Sequence, residues 1–300
     1  MRSFRIWLSA ARLRTLPLSI SGILVGNAKA LHQPDFSFAV FFSCLATAIG
    51  FQVLSNFAND YGDGVKGTDN DDRLGPKRVL QQGLISPHSL RRGIAITSIV
   101  AFAAALFTIY MAFDSYQLIY VFAFSILGIC AIAAAIKYTV GSKAYGYSGW
   151  GDLFVLLFFG GLSVLGSFFL QTKIITDDLI YLALAIGLFS TGVLNVNNMR
   201  DWKNDETANK RTLVVRMGIS NAKIYHIVLI LLGMLCAFLG MKFQLLWYQN
   251  IWLLSFVPFF FHLVRVLRQT EAKRLDAQLK VLAFSTFLFA ILIFVSYLVF

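Results

Sequence analysis

Charged side chains are scarce in this sequence of 300 residues. Only 14% of the residues are Asp, Glu, Lys or Arg, and 58% are hydrophobic, whereas a soluble domain has about 25% charged and roughly 45–50% hydrophobic residues. The chain therefore has too few polar side chains to cover a surface that faces water. Apolar stretches close to the ~20 residues that a helix needs to cross a bilayer recur from end to end instead.

Cysteine and histidine are rare as well, and neither is spaced as a metal or redox site requires. None of the three cysteines belongs to a CxxC pair, and the four histidines are scattered. This distribution argues against zinc and haem, and the cysteines, each inside an apolar run, are expected to be packing residues. The residues are Cys44, Cys130, Cys236, His32, His88, His226 and His262.

The first residues are basic and partly apolar, but no small-residue cleavage site follows them, so we expect no signal peptide. We expect an interfacial helix over residues 1–15 instead. The hydropathy pattern predicts an all-α, polytopic membrane protein with nine transmembrane helices in a single domain, 1–300. The predicted spans are 16–32, 38–59, 93–113, 116–136, 149–170, 178–199, 221–241, 247–264 and 281–300.

Basic residues flank these spans unequally. If the N-terminus is cytoplasmic, 23 of the 26 Lys and Arg residues lie on the cytoplasmic side, and only Lys29, Lys173 and Lys242 lie outside. Basic residues near span ends are retained in the cytoplasm, so this bias predicts a cytoplasmic N-terminus. Together with the anionic inner leaflet it also accounts for the net charge of +11 without nucleic-acid binding.

Eight of the fifteen acidic residues are concentrated in two segments on this side that we predict to be cytoplasmic loops, 60–92 after the second span and 200–220 after the sixth. If the preceding helices continue, residues three or four apart share one face. The predicted faces consist of Asn56, Asn59, Asp60 and Asp63 on the first helix, and of Asn197, Asp201 and Asp205 on the second.

Carboxylate and amide oxygens are hard ligands that suit Mg²⁺, which normally also takes substrate phosphate oxygens. Two acidic faces at one membrane surface would repel each other, and a divalent cation bridged by a diphosphate would relieve that repulsion. We therefore predict that Asp60, Asp63, Asp201 and Asp205 are catalytic metal ligands, with Asn56 as a further ligand. The residues predicted to hold diphosphate oxygens are Asn59, Asn197, Lys66, Arg73, Lys77, Arg78 and Lys210.

A simpler explanation is that these are solvated loop charges. Two segments with the same design, four helices apart, argue against it and suggest two pseudo-repeated four-helix halves, with the ninth span appended.

At these two segments the sequence resembles the UbiA-type intramembrane aromatic prenyltransferases, whose pattern is NDxxD after helix 2 and DxxxD after helix 6. Asn59, Asp60 and Asp63 match the first motif, and Asp201 and Asp205 match the second. Longer segments resemble the branch that acts on 1,4-dihydroxy-2-naphthoate in menaquinone synthesis. They are 11–17 (ARLRTLP), 59–78, 138–172 and 195–218, close to a third of the chain.

The resemblance implies the UbiA-like prenyltransferase fold over the single domain. It also implies transfer of a polyprenyl group from polyprenyl diphosphate to 1,4-dihydroxy-2-naphthoate, with release of diphosphate and CO₂, to give demethylmenaquinone. The cofactor implied is Mg²⁺, with Mn²⁺ as a substitute, and the location implied is the lipid of a bacterial inner membrane, with both acidic segments cytoplasmic.

The chain departs from the family pattern at two positions. Leu13 stands where the branch usually has Pro, and Gly67 stands where the family often has a third Asp. The next acidic residue is Asp69, whose metal role is therefore open.

The residues that bind the aromatic acid are also open. Arg12, Arg14, Lys137 and Tyr138 are candidates, although anchoring at the membrane surface explains each of them equally well. Alternative acceptors within the family are 4-hydroxybenzoate, homogentisate and tetrapyrroles.

Two rival classes of protein are disfavoured. The motif of CDP-alcohol phosphotransferases continues with Ala-Arg where Gly67-Thr68 stands here. Membrane transporters usually place their carboxylates near the bilayer midplane, whereas these lie at span ends.

The predicted topology can be tested by labelling. A cysteine introduced at Thr68 or Thr207 should react with membrane-impermeant reagents only from the cytoplasmic side, because both positions belong to the acidic segments. Labelling from outside intact cells would contradict the orientation.

Overall fold

The structure is a computed structural model that describes residues 2–243 and 246–299. Every regular element among these residues is helical, and nine helical segments are long and apolar enough to cross a membrane. The predicted all-α, nine-span architecture is confirmed. The helices are α1 (Arg2–Ala11), α2 (Leu16–Ala30), α3 (Phe38–Val65), α4 (Pro87–Ala112), α5 (Leu118–Lys137), α6 (Gly151–Thr172, π-helical over Leu156–Gly166), α7 (Asp177–Thr207), α8 (Leu213–Met241), α9 (Phe256–Arg268) and α10 (Leu275–Val299).

The two helices that carry the acidic residues are longer than predicted. The membrane spans were predicted to end at residues 59 and 199, and the helices continue beyond these positions, α3 to Val65 and α7 to Thr207. A helix satisfies its own backbone hydrogen bonds, so it can continue from lipid into water without interruption. Segments 60–92 and 200–220 are therefore not loops throughout, because all four predicted aspartates lie on helical turns.

A residue in the left-handed conformation turns the chain back after each of these helices. Gly67 (φ 74°) follows α3, and Asn209 (φ 55°) follows α7; glycine adopts this conformation freely and asparagine tolerates it. The backbone N–H of Lys210 then donates to the Asp205 carbonyl at 2.7 Å, and the Asp63 carbonyl accepts two such bonds from the first connection. Both connections are thus folded against the helix ends.

Other helix boundaries follow from capping residues. Ser86 and Thr212 accept hydrogen bonds from the first turns of α4 and α8, and such hydroxyls favour helix starts. The two helices consequently begin at Pro87 and Leu213, ahead of the predicted positions 93 and 221.

The N-terminal segment is broken where a continuous helix to residue 15 was expected. Arg12 adopts φ 51° and separates α1 from a short 3₁₀ turn before α2. Trp7 on α1 meets Phe57 on α3 edge to face, with 5.3 Å between ring centroids. This contact holds α1 beside the end of α3 that carries the aspartates.

The largest apolar core joins α2 to helices from the second half of the chain. Phe189 of α7 stacks on Phe259 of α9 at 4.3 Å and meets Phe289 of α10 edge to face at 5.6 Å. A buried polar contact crosses the same region, since the Nε2 atoms of His226 and His262 lie 2.8 Å apart and join α8 to α9.

Only one of the two positions suggested for labelling is accessible. Thr68 is 2% exposed, and its hydroxyl lies 2.6 Å from that of Tyr147. Thr207 is exposed near the end of α7, so the topology experiment uses Thr207.

Small residues allow α6 and α7 to approach closely. A Cβ added at Gly160 would lie 2.9 Å from the Cα of Gly187 and closer still to the carbonyl oxygen of Ala183, whereas a Cβ added at the neighbouring Gly161 meets nothing within 4 Å. The close packing of α6 against α7 therefore requires glycine at position 160 but not at position 161.

Gly160→Ala is expected to lower the free energy of unfolding by about 1–3 kcal/mol, because the methyl group has no space between the two backbones. The matched change Gly161→Ala should be neutral or stabilising by up to about 1 kcal/mol, since alanine favours the helix. Unfolding of the purified protein in mixed micelles measures both. Equal effects would contradict the close packing.

Candidate functional site

The four predicted aspartates lie on the last turns of α3 and α7. Asp60 and Asp63 are three residues apart, and Asp201 and Asp205 are four apart, so each pair shares one helix face. All four are buried, with between 1% and 7% of each residue exposed. Buried carboxylates require compensating positive charge, because an isolated buried ion is very costly.

Lys210 connects the two helix ends. Its Nζ lies 3.4 Å from Oδ2 of Asp63 and 3.9 Å from Oδ1 of Asp205. Tyr147 donates its hydroxyl hydrogen to the other oxygen of Asp63 at 2.8 Å. Burial lowers the pKa of Lys210, but Asp63 and Asp205 outweigh this and raise the pKa overall. The ammonium group is therefore charged at neutral pH.

Arg73 makes a second connection, from the segment after α3. Its Nε lies 3.0 Å from Asp69, and its Nη2 lies 3.6 Å from Asp201. Arg78 lies 3.7 Å from Asp60 and 3.9 Å from Asp69. Burial raises the pKa of Asp69, against the effect of both arginines. Asp69, whose role the sequence left open, thus joins the other four aspartates in what we call the carboxylate cluster.

Two further arginines complete the ion pairs. Arg12 pairs with Asp60. Arg200 donates two hydrogen bonds to Asp201, at 2.6 and 2.9 Å, and one to Asp276 of α10 at 2.7 Å. The basic side chains that pair with the cluster therefore come from α7, from the N-terminal segment and from the segments after α3 and α7.

Of the residues predicted to hold diphosphate oxygens, all but one lie near the cluster. Asn197 accepts a hydrogen bond from Arg200 at 2.9 Å, and the ammonium group of Lys66 lies over the Tyr147 ring at 3.8 Å. Lys77 is the exception, because its side chain is 66% exposed and pairs with Asp71 in solvent. The structure does not bring Lys77 into the carboxylate cluster.

Asn56 has a structural contact that the sequence did not suggest. Its amide donates to the Ala11 carbonyl at 2.8 Å and to the Thr15 hydroxyl at 3.0 Å. These bonds fasten the N-terminal segment to α3. Its role as a metal ligand stays a prediction.

The four candidates for the aromatic acid are not brought together. Arg12 is engaged with Asp60, whereas Arg14 and Lys137 are exposed. Tyr138 alone lines the cavity described below.

Sequence analysis missed three residues that organise the site. Arg200 and Tyr147 contact the aspartates directly, and Asn204 donates to the Thr68 carbonyl at 2.8 Å, which holds the first connection against α7. Arg200 could have been suspected from its place next to Asp201. The contact of Tyr147 with Asp63 joins residues 84 positions apart, and no spacing rule predicts such a contact.

A cavity of about 340 Å³ begins beside the cluster. Its lining along α3 extends from Cys44 to Asn59, which is roughly 20 Å of helix. Most lining residues are apolar, and the polar ones near the cluster are Gln52, Asn56, Asn59 and Tyr138. A long apolar chain with a polar head matches this distribution.

The oxygen donors of the cluster suit a divalent cation. Within residues 2–243 and 246–299, no three carboxylate, His or Cys side chains are close enough to form a metal site by themselves. Oδ2 of Asp69 and Oδ1 of Asn204 are buried without a hydrogen bond, whereas Oδ1 of Asp69 is ion-paired with Arg73. Hard donors with unused lone pairs fit Mg²⁺, which takes the rest of its ligands from water and substrate.

The model of the UbiA prenyltransferase family matches residues 19–293. The chain belongs to the UbiA prenyltransferase family. Two relatives named 1,4-dihydroxy-2-naphthoate octaprenyltransferase support this. The one from Escherichia coli strain K12 is 45% identical over 239 residues, 80% of this chain and 77% of its own. The one from Haemophilus influenzae is 44% identical over 234 residues, which are 77% of this chain and 75% of its own.

Solved structures agree with the fold of this UbiA-family protein. A UbiA homolog from Archaeoglobus fulgidus, bound to DMAPP and Mg²⁺, has a TM-score of 0.66 at 15% identity and covers 98% of this chain and 99% of its own. A digeranylgeranylglyceryl phosphate synthase has a TM-score of 0.62 at 16% identity and covers 99% of both chains. The UbiA-family protein is accordingly a multi-pass membrane prenyltransferase.

Lys210→Met should lower the free energy of unfolding by about 3–5 kcal/mol, because it leaves Asp63 and Asp205 buried without their shared cation. Lys77→Met is the matched control, and losing its exposed ion pair should cost less than about 1 kcal/mol. Both are measured by equilibrium unfolding in mixed micelles with EDTA. If Lys210→Met changed the free energy of unfolding only slightly, Lys210 would not be the cation that stabilises Asp63 and Asp205.

Proposed function

We propose that this chain transfers a polyprenyl group from polyprenyl diphosphate to 1,4-dihydroxy-2-naphthoate, releases diphosphate and CO₂, and forms demethylmenaquinol, the reduced form of demethylmenaquinone. The observation that carries the proposal is the junction of a long apolar cavity with a buried cluster of carboxylates and cations. The names of relatives at 44–45% identity support the choice of acceptor.

The donor would lie across this junction. Its isoprenoid chain would occupy the cavity, whose α3 lining ends at Asn59, one residue before Asp60. Its diphosphate would then reach the cations that already contact the cluster, Lys210, Arg73 and Arg78. Basic side chains of this kind bind phosphate oxygens strongly.

We propose Mg²⁺ as the cofactor, with Mn²⁺ as a substitute, held by Asp60, Asp63, Asp201 and Asp205 together with the diphosphate. When bound, the ion supplies positive charge to the diphosphate oxygens and stabilises them as a leaving group. Asn56 stays a candidate ligand, and the unpaired Oδ2 atom of Asp69 makes that residue a further one.

The reaction needs two events that these residues can favour. The bond between the allylic carbon and oxygen breaks, with both electrons going to the diphosphate, where Lys210, Arg73 and Arg78 stabilise the charge that develops. The electron-rich ring then attacks the carbocation, and the carboxyl group at the attacked position leaves as CO₂. Aromatic cavity residues such as Tyr138, Tyr145 and Phe154 would stabilise the cation and keep water away.

The acceptor would meet the donor at the head of the cavity, where Tyr138 and Gln52 offer hydrogen bonds. Arg14 and Lys137, the other candidates for this task, are exposed, and their role stays a prediction. We further propose that residues 1–300 act as one prenyltransferase domain in the bacterial inner membrane, with the N-terminus and the carboxylate cluster on the cytoplasmic side.

The acceptor assignment is tested by incubating purified protein with Mg²⁺, an all-trans polyprenyl diphosphate and one aromatic acid at a time. We expect the mass of demethylmenaquinol, or of demethylmenaquinone once air has oxidised it, with 1,4-dihydroxy-2-naphthoate. We expect no product after metal removal by EDTA until Mg²⁺ or Mn²⁺ is restored. Preferential turnover of 4-hydroxybenzoate or homogentisate would overturn the assignment, and full turnover in EDTA would overturn the metal requirement.

Asp60→Asn and Asp201→Asn should each lower kcat by roughly 10²-fold or more, because each removes a charge that holds the leaving group in the transition state. Asparagine keeps the size of the side chain, so gel filtration should show folded protein. Asp177→Asn, at the exposed start of α7 and the other end of the bundle, should leave kcat nearly intact. Near-normal turnover of the two cluster variants would mean that the site is elsewhere.

A further inference from the structure

Six aspartates are buried in the described part of the chain, and five of them belong to the carboxylate cluster, where each forms an ion pair with Lys or Arg. Asp152, in the first turn of α6, is the exception. Only 6% of this residue is exposed, and within residues 2–243 and 246–299 no Lys or Arg forms an ion pair with it. A buried carboxylate without a cation is costly, so the stability of the fold does not account for Asp152.

The groups that contact Asp152 favour its ionised form but do not neutralise it. The Tyr225 hydroxyl of α8 donates to Oδ2 at 3.1 Å, and the start of a helix stabilises negative charge. Neither group carries a formal positive charge, and Oδ1 is buried without a hydrogen-bond partner. The negative charge of Asp152 is therefore left unbalanced.

Asp152 lies directly behind the lining of the cavity. Gly151 and Phe154, which flank it in sequence, line the cavity, whereas Asp152 and its partner Tyr225 do not. The carboxylate thus faces α8 and is separated from the cavity by the residues beside it. Neighbouring Cα atoms are about 3.8 Å apart, so the negative charge is close to the cavity although it does not touch it.

Three aromatic rings form the lining in front of Asp152, and we call them the aromatic wall. Tyr138 meets Tyr145 edge to face, with 5.3 Å between ring centroids, and Tyr145 stacks on Phe154 at 3.9 Å. A Cβ added at Gly151 would lie 3.1 Å from a ring carbon of Tyr138 and 3.5 Å from its hydroxyl oxygen. Gly151 therefore places no side chain between the wall and the backbone that carries Asp152.

The negative charge of Asp152 acts on this wall. Burial raises the pKa of the Tyr138 phenol, Lys210 lowers it, and the charges of Asp63, Asp152 and Asp205 raise it further. Because Lys210 pairs with both Asp63 and Asp205, a cation offsets the charge of these two residues. Asp152 is the one of the three whose negative charge is not offset in this way.

Ionisation of an allylic diphosphate creates charges of opposite sign. Both electrons of the carbon–oxygen bond go to the diphosphate, and the allylic carbon is left positive. Lys210, Arg73 and Arg78 stabilise the diphosphate but repel the carbocation, because Coulomb interactions reach beyond contact distance where water is excluded. Aromatic faces attract a cation, and an unbalanced carboxylate behind them attracts it as well.

We infer that Asp152 stabilises the allylic carbocation of the reaction through its unbalanced negative charge, which acts across the aromatic wall without touching the substrate. The inference rests on the proposed function. Asp152 forms no bond and exchanges no proton in this role. Its charge is fixed in place before the donor ionises, so no reorganisation is needed when the positive charge develops.

The test uses a stable ion in place of the carbocation. Calorimetry measures the binding of farnesyl trimethylammonium to the detergent-purified full chain, with Mg²⁺ and inorganic diphosphate present. The comparison ligand is the uncharged hydrocarbon of the same shape, in which carbon replaces nitrogen. Asp152→Asn should bind the ammonium ion at least about ten-fold more weakly, because it removes one attraction between charges, and should bind the hydrocarbon with unchanged affinity.

Asp114→Asn is the matched control. It removes the same charge from an exposed position after α4, at the other end of the bundle, and should leave both affinities unchanged. Unchanged binding of the ammonium ion by Asp152→Asn would overturn the inference. A parallel loss of affinity for both ligands would overturn it as well, since Asp152 would then shape the cavity and not supply charge.

Single-turnover kinetics separate the charge of Asp152 from its hydrogen bond. Asp152→Asn can still accept from Tyr225, but its rate of prenyl transfer should fall at least about ten-fold, while the half-saturating donor concentration stays within about two-fold. Tyr225→Phe removes the hydrogen bond and keeps the charge, so its rate should stay within about three-fold of the unchanged protein. Equal losses in the two variants would assign the effect to the anchoring of α6 and contradict the inference.

The binding measurement needs no turnover, so the inference and the proposed function can fail separately. Product from 1,4-dihydroxy-2-naphthoate without charge-selective binding would overturn the inference and leave the proposed function standing. Charge-selective binding that depends on Asp152, in a protein without prenyl transfer, would contradict the proposed function and leave the cation-stabilising role of Asp152 standing.

Discussion

Buried carboxylates on two separate helices repel each other unless cations lie between them. In this protein Lys210 contacts aspartates from the ends of both α3 and α7, and Arg73 contacts Asp69 and Asp201. These shared cations keep the helix ends together, because neither can move away without leaving a buried charge unpaired. The turns at Gly67 and Asn209 bring the cation-bearing segments back to where they are needed.

The same cluster determines what the neighbouring spaces can hold. A cavity of mainly apolar lining lies beside it, and so does a smaller pocket whose lining is rich in arginine and lysine. An amphiphilic diphosphate matches this sequence of apolar, acidic and basic surroundings, with its chain in the cavity and its head at the cluster. The cations that stabilise the folded protein can therefore also stabilise a departing diphosphate.

Much of the fold could be predicted from sequence, since apolar runs must become helices in lipid, and residues three or four apart must share a helix face. This reasoning gave the nine spans and the two pairs of aspartates. The predicted spans are shorter than the helices, because hydropathy marks the membrane boundary whereas capping and turn residues mark the end of the helix. It also missed Tyr147 and Arg200, and it did not foresee that Lys77 is exposed, since tertiary contacts decide which polar side chain is buried.

The central claim is that the two helix ends act as one unit around a shared anion and metal. A double-mutant cycle on kcat/KM tests it most directly, with Asp60→Asn on α3 and Asp201→Asn on α7. If the two residues stabilise the same diphosphate, the fall in kcat/KM of the double variant should be clearly smaller than the product of the two single falls. The first change already disrupts the diphosphate site on which the second residue acts. Losses that multiply would mean that the two residues act independently, and the account of a single site would be wrong.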